Sequence, residues 1–147
     1  MEIKKLLWAT DFSENAGLAL PYVNSLSEKY GSEVHVIYVL EAWGDFGAWY
    51  GDYDQDEIEK IQVWAREKAE ARLSRVCEEH LKGCRLYIRH IAVGDPAEEI
   101  LKTAGQEKVD LLVLTTHGEK GRFHFGSVAD QVVKHSSVPV ITIPIKK

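Results

Sequence analysis

Five short apolar segments alternate with four helical patterns along this chain, and this alternation restricts the fold more than any other feature of the sequence. The strand-like segments are Ile3–Thr10, Val34–Leu40, Arg85–Val93, Val109–Thr116 and Val138–Ile143. The helical patterns follow Ser13, Gln55, Asp95 and Ser127. A chain that alternates in this way forms a parallel sheet with right-handed crossovers and helices on both faces. We therefore predict a Rossmann-like α/β fold in which residues 1–147 form one domain.

The composition of the strands predicts their order in the sheet. Arg85–Val93 alternates charged and apolar residues, and Val138–Ile143 contains Pro139 and is followed by Pro144. Both patterns are typical of edge strands. The other three segments are almost uniformly apolar, as expected of strands that are buried on both faces. The order 3-2-1-4-5 satisfies both observations, and it creates a switch point between the first and fourth strands.

Capping and breaking residues mark the ends of the helices. Ser13 is the expected N-cap of the first helix, Pro21 is expected to kink it, and Gly31 is expected to end it. Asp95 as N-cap and Pro96 at the first helical position give the third helix a clear start.

The fourth strand leads into a glycine-rich loop, residues 117–126, which also carries Lys120 and Arg122. Ser127 is the expected N-cap of the last helix, and Asp130 would complete a capping box. Free backbone N–H groups and the positive end of a helix dipole bind anions. We therefore predict a phosphate-type site at this loop; a plain connection that needs glycine for positive φ is the alternative.

The first strand ends at the same switch point with Thr10 and Asp11. Open α/β sheets bind ligands beyond the carboxyl ends of their strands at such a point. A carboxylate can accept hydrogen bonds from ribose hydroxyls or an adenine amine, so Asp11 opposite an anion site suggests a nucleotide. The alternative is that Asp11 only caps the following helix together with Ser13.

Charge and length exclude several classes of function. The net charge of −5 argues against nonspecific binding to nucleic acids or to anionic membranes. No apolar run reaches the roughly 20 residues of a membrane span, and residues 1–5 show no signal-peptide pattern. Cys77 and Cys84 are expected to be reduced thiols, with a disulfide between them as the alternative. We predict a cytoplasmic protein.

The sequence does not reveal the role of two of its features. The segment 41–55 holds five aromatic residues and several acidic ones, and we consider a lid, a partner surface or a cluster folded onto the domain. Four histidines lie on separate predicted elements, so we expect no metal site and no catalytic set from them; they are His35, His80, His90 and His135.

Several motifs together resemble those of the universal stress protein (UspA-like) family. Leu7–Ser13 looks like the opening strand and turn of that family, and Gly94–Ile100 is similar to the start of its third helix. Thr116–Gly118, Gly126–Ala129 and Val138–Val140 look like its C-terminal signature. The resemblance implies an adenine nucleotide alpha hydrolase-like fold, which agrees with the strand order predicted above.

The resemblance implies a stress-response protein that binds ATP or another adenine nucleotide as a regulatory ligand, with Mg²⁺ as a candidate companion ion. By resemblance, Ala9, Asp11 and Val39 contact the adenosine, and Gly118, Gly126, Ser127 and Val128 contact the phosphates. The residues themselves add Thr10, Thr115, His117, Gly121 and Arg122 to the candidate site. Thr115 stands where the family motif has its first glycine, and the loop between Gly118 and Gly126 is two residues shorter than the family's.

Members of the family are generally homodimers, and the apolar edge strand at residues 138–143 is the expected interface. Two rival functions remain open. One is a dimeric protein-interaction module of the same fold that binds no nucleotide. The other is a weak ATP-hydrolysing enzyme, against which stands the absence of a Walker lysine motif.

Overall fold

A five-stranded parallel sheet forms the centre of the fold. The structure is a computed structural model that describes residues 1–41, 55–84, 86–117 and 124–145, without the side chains of residues 55 and 124–126. The strands are β1 (Lys5–Ala9), β2 (Glu33–Leu40), β3 (Tyr87–Val93), β4 (Leu111–Thr115) and β5 (Val140–Ile143). The helices are α1 (Glu14–Gly17), α2 (Leu20–Tyr30), α3 (Gln55–His80), α4 (Pro96–Glu107) and α5 (His124–His135).

The strand order is β3-β2-β1-β4-β5, and every pair of neighbours is parallel. The predicted order is therefore confirmed, including both edge strands. β1 pairs with β2 on one side and with β4 on the other. The crossovers leave β1 and β4 in opposite directions, so a crevice opens between the carboxyl ends of these two strands.

Alternate residues of the central strands build two hydrophobic cores, one on each face of the sheet. Leu6 and Trp8 of β1 pack with residues of α2 and α3, on what we call the α2/α3 face. Leu7 and Ala9 pack with residues of α4 and α5, on the α4/α5 face. This arrangement explains why β1 and β4 are apolar at nearly every position: neither face of either strand meets water.

The first helical segment is two helices and not one kinked helix. α1 begins after Ser13, whose Oγ accepts a hydrogen bond from Ala16 N at 3.1 Å, as predicted for an N-cap. α1 ends at Gly17, and α2 begins at Leu20 with Pro21 in its first turn. The predicted kink is therefore wrong, because proline is tolerated in a first turn, where its missing N–H has no helical acceptor.

Other predicted helix ends are confirmed. Gly31 ends α2 in the left-handed conformation, with φ of 65°. Asp95 caps α4 by accepting a hydrogen bond from Glu98 N at 3.1 Å, and Pro96 is the first residue of the helix.

α3 covers the α2/α3 face through Ala69, Leu73 and Cys77.

Cys77 and Cys84 are free cysteines, and burial raises the pKa of the Cys77 thiol to about 11. No helix in the described ranges is both long and apolar enough to cross a membrane, and this includes the 26-residue α3. The aromatic segment predicted at 41–55 lies almost entirely outside the described residues.

Candidate functional site

The switch point brings together the chain segments that follow β1 and β4. Thr10 N donates to Ile37 O at 3.0 Å, and Thr116 N donates to Ile143 O at 3.0 Å. β1 and β4 therefore each remain hydrogen-bonded to a neighbouring strand for one residue beyond Ala9 and Thr115. After these residues the two segments leave the sheet on either side of the crevice, so Asp11 and His117 follow at the same edge.

The turn after β1 is held by its own side chains. Phe12 N donates to Thr10 Oγ1 at 3.1 Å, and Ser13 N donates to Asp11 Oδ1 at 2.9 Å. The Ser13 hydroxyl donates to the same carboxylate oxygen. The capping partnership of Asp11 and Ser13 is thus present. Among the described residues these bonds leave Asp11 Oδ2 available, so the capping role and a ligand role are compatible in this half-buried carboxylate.

Phe12 fixes the direction of this turn, a role that the sequence did not reveal, although it placed Phe12 at the switch point. Its φ of 67° lies in the left-handed region, which is uncommon for a residue with a large side chain. The ring packs against Tyr38 with centroids 4.3 Å apart, and the Arg72 guanidinium lies 4.7 Å from its centre. Packing of the ring into the α2/α3 face compensates for the backbone cost of roughly 1–3 kcal/mol. An aromatic residue between two capping residues was the available sequence signal.

Three predicted contacts form one apolar surface on the α4/α5 face. Ala9 is 3% exposed, and Val39 and Val128 are half-buried residues packed against the same cluster. Ala92 lies opposite Val39 in the neighbouring strand. Small side chains at the carboxyl ends of adjacent strands give the crevice an apolar floor on which a planar ring can lie.

Thr115 does not contribute to that floor. It is fully buried, and its hydroxyl donates to His117 O at 3.0 Å. Leu114 belongs to the α4/α5 face, so the alternation of β4 turns Thr115 towards the opposite face. Its β-carbon therefore points away from Ala9. His117 is exposed, and its Nδ1 lies 2.9 Å from Thr116 Oγ1.

α5 begins at His124, four residues earlier than predicted. Ser127 is consequently the fourth residue of the helix and not its N-cap, and the predicted capping box with Asp130 is wrong. Ser127 is exposed. The first four N–H groups of a helix have no carbonyl partner within it, so residues 124–127 supply amide donors, and Gly126 is among them. Gly118, Gly121 and Arg122 lie outside the described residues.

The described candidate residues lie at one edge of the sheet. An acceptor carboxylate, an apolar floor and the positive end of a helix dipole all lie at the carboxyl edge of β1 and β4. Such a set suits a ligand with an apolar ring, hydroxyl donors and a negative charge.

Comparisons with known proteins agree with this fold. The model of the universal stress protein family matches residues 2–144. The chain is 28% identical to universal stress protein MJ0577 of Methanocaldococcus jannaschii, over 97% of this chain and 96% of that protein. It is 30% identical to universal stress protein MJ0531 of the same organism, over 95% of this chain and 81% of the relative.

Solved structures give the same result. The structure of MJ0577 matches with a TM-score of 0.86 and covers 100% of this chain and 99% of its own. Two structures with lower identity share the fold. One is a universal stress protein in complex with cAMP, with 19% identity, a TM-score of 0.63 and 98% of both chains covered. The other is the universal stress protein from Archaeoglobus fulgidus in complex with dAMP, with 22% identity, a TM-score of 0.66 and coverage of 97% and 99%. From its fold and its sequence, the chain belongs to the universal stress protein family.

Proposed function

We propose that this protein binds an adenine nucleotide between the carboxyl ends of β1 and β4, as a regulatory ligand in a stress response. The observation that carries the proposal is the convergence of Asp11, the floor of Ala9, Val39 and Val128, and the first turn of α5 at one switch point. The cAMP and dAMP complexes of proteins with this fold support the choice of an adenine ring.

Each part of the site matches one part of the ligand. The adenine ring lies on the floor formed by Ala9, Val39 and Val128. Ribose hydroxyls or the adenine amine donate to Asp11 Oδ2, which Ser13 already orients through the other oxygen. The phosphates accept hydrogen bonds from the amides at the start of α5. The other predicted contacts are Thr10 and His117 among the described residues, and Gly118, Gly121 and Arg122 outside them.

We extend the proposal to ATP as the nucleotide, with Mg²⁺ bound to the ATP phosphates. Thr115 replaces a motif glycine, but its side chain turns away from the floor, so it does not block the ring. AMP, cAMP and ATP share the ring and the ribose, so a comparison of their affinities with and without Mg²⁺ determines how much of the phosphate chain is recognised.

Asp11→Asn is expected to weaken nucleotide binding about tenfold, because a carboxylate acceptor bonds a hydroxyl or amine more strongly than an amide oxygen does. Isothermal titration calorimetry on the purified protein measures the change. Nucleotide should also raise the melting temperature of the wild-type protein, since a ligand that binds only the native state stabilises it.

Asp95→Asn is the matched control. Asp95 also accepts a backbone N–H near a helix start, but it caps α4, which is a different helix. Both variants therefore lose a similar local interaction, and only Asp11→Asn should change the affinity. Equal affinities in the two variants would contradict the proposal. Phosphate release that exceeds background and is lost in Asp11→Asn would instead indicate hydrolysis.

We also propose that two copies of the chain associate through β5. This strand lies at the edge of the sheet, and Val140, Ile141 and Thr142 remain half-buried in the isolated chain. Pro139 O and Ile143 O accept hydrogen bonds from β4, so alternation directs the backbone of Thr142 away from β4. An apolar edge strand with outward N–H groups favours pairing with another strand.

Thr142→Pro is expected to convert a dimer into a monomer, because proline removes the outward N–H and leaves the ladder to β4 intact. Thr142→Val is the control, since it keeps the N–H and nearly the same shape. Light scattering after size-exclusion chromatography measures the mass of each variant. A monomeric wild-type protein, or a dimer in both variants, would refute pairing through β5.

A further inference from the structure

Two facing histidines, one fully buried and one half-buried, lie on the α4/α5 face, on the neighbouring strands β2 and β3. His35 of β2 is fully buried, and its Nδ1 lies 2.8 Å from Nε2 of His90 on β3. A carboxylate oxygen of Glu107, the last residue of α4, lies 4.0 Å from the same His35 nitrogen. Sequence reasoning placed these histidines on separate elements and expected no metal site. The register of β2 and β3 brings the two rings together.

The geometry points to a binding site for one divalent transition-metal ion, with Zn²⁺ favoured by its ligands, formed by His35 Nδ1, His90 Nε2 and the Glu107 carboxylate. One potential ligand atom from each of the three residues lies within 4.8 Å of the other two. Two imidazoles and one carboxylate, with water as the fourth ligand, are a common coordination set for zinc.

The two rings point their ligand nitrogens at each other. The ring planes are only 16° apart, and the facing nitrogens at 2.8 Å are much closer than the ring centroids at 5.1 Å. The rings therefore meet edge to edge, with the nitrogen lone pairs in the ring planes. Two nitrogens bound to a tetrahedral zinc lie about 3.3 Å apart. Moving the two nitrogens apart by roughly half an ångström and turning each ring towards Glu107 would bring both lone pairs onto the ion. The proton that His90 Nε2 shares with His35 Nδ1 then leaves to solvent while His90 Nδ1 takes one up, so both rings stay neutral.

A second carboxylate already fixes the ring of His35. His35 Nε2 lies 2.7 Å from Glu33 Oε1, which sets Nε2–H as the donor and leaves the lone pair on Nδ1. Histidine ligands of metals usually donate their other N–H to a carboxylate in this way. The position of Glu107 is also fixed, because Lys5 Nζ donates to its backbone carbonyl at 3.0 Å.

Charge favours a cation in this cluster. The Glu33 and Glu107 side chains are 27% and 37% exposed, so both carboxylates are partly shielded from water. A divalent ion would balance the two carboxylates beside two neutral rings.

Zn²⁺ binding to the metal-free protein of residues 1–147, without nucleotide, tests the site. Competition with a chromophoric chelator should show one Zn²⁺ per chain. His90→Gln and Glu107→Gln are expected to weaken binding by about 100-fold or more, since each removes a ligand, and Glu33→Gln by about 10- to 100-fold. Both ligand positions are only half-buried, and circular dichroism would verify that the variants fold.

His80→Gln is the matched control. His80 is an exposed histidine whose Nε2 lies 3.8 Å from a carboxylate oxygen of Glu79, but it belongs to neither β2 nor β3. Its replacement should leave the affinity unchanged. Co²⁺ should give the visible absorption of a tetrahedral site in the wild-type protein and lose it in His90→Gln. Weak Zn²⁺ binding by the wild-type protein, equal affinity in His90→Gln, or an equal loss in His80→Gln would each overturn the proposal.

Discussion

Trp8→Ala is expected to lower the free energy of unfolding by about 3–5 kcal/mol, the range measured when a large buried aromatic residue is truncated. Trp8 is 1% exposed and is among the largest fully buried side chains of the protein. It lies in the middle of the sheet and packs with Leu73 and Val23 against the α2/α3 face. Because strands enclose it on both sides, the surrounding structure cannot collapse into the cavity that alanine would leave.

Two other variants separate this cavity effect from the loss of the indole N–H. Trp8 Nε1 is buried and has no hydrogen-bond partner among the described residues. Trp8→Phe keeps most of the volume and removes that unpaired donor, so it should cost less than about 1.5 kcal/mol. Leu18→Ala, at a residue that is 44% exposed, should cost less than about 0.5 kcal/mol. Urea unfolding followed by circular dichroism gives all three values. Similar losses in Trp8→Ala and Trp8→Phe would contradict the cavity argument.

The fold was predictable because its strongest signals are compositional. Central strands such as Val34–Leu40 are apolar at almost every position, and the two edge segments carry arginine or proline. These features depend on burial over whole segments, so errors of one or two residues at strand ends do not change the order. The ends of some helices were harder to predict from the sequence than the strand order. Proline and serine each occur at several positions of a helix, and tertiary packing decides which position Pro21 and Ser127 take.

Part of the candidate site was also predictable, because the composition of the strands locates their ends. Ala9, Asp11 and Val39 follow from the positions of strand ends, and the structure places them at one edge. The left-handed backbone of Phe12 could not be predicted, because it depends on the packing of its ring against Tyr38 and Arg72.

The contact of His35 and His90 was also hidden from the sequence. It requires the register in which Ile37 is paired with His90. A shift of one residue would turn His90 to the other face of the sheet, and hydrophobic patterns in an edge strand of mixed polarity do not fix the register. Metal sites assembled across strands are therefore easily missed when histidines are judged by their spacing in the chain.

Asp110→Ala is expected to destabilise the protein by about 1.5–3 kcal/mol, the usual contribution of hydrogen bonds to a charged group. Asp110 precedes β4, and its Oδ2 accepts the backbone N–H groups of Lys4 and Lys5 at 2.8 and 3.0 Å. Asp110 N also donates to Lys5 O at 2.9 Å. The carboxylate thus joins the start of β1 to β4, which are the two strands that form the crevice at their other ends.

The size of the loss depends on what happens to the two freed N–H groups. The N–H of Lys4 is exposed and can bond to water, whereas that of Lys5 is partly buried and would lose its partner. Asp110→Asn keeps an acceptor oxygen, so it should cost less than about 1 kcal/mol. Asp130→Ala breaks only an exposed ion pair with Lys134 at 3.0 Å and should cost less than about 0.5 kcal/mol. Urea unfolding measures the stabilities, and hydrogen exchange at Lys5 should accelerate in Asp110→Ala alone. Equal losses in Asp110→Ala and Asp130→Ala would mean that hydrophobic packing by itself holds β1 against β4.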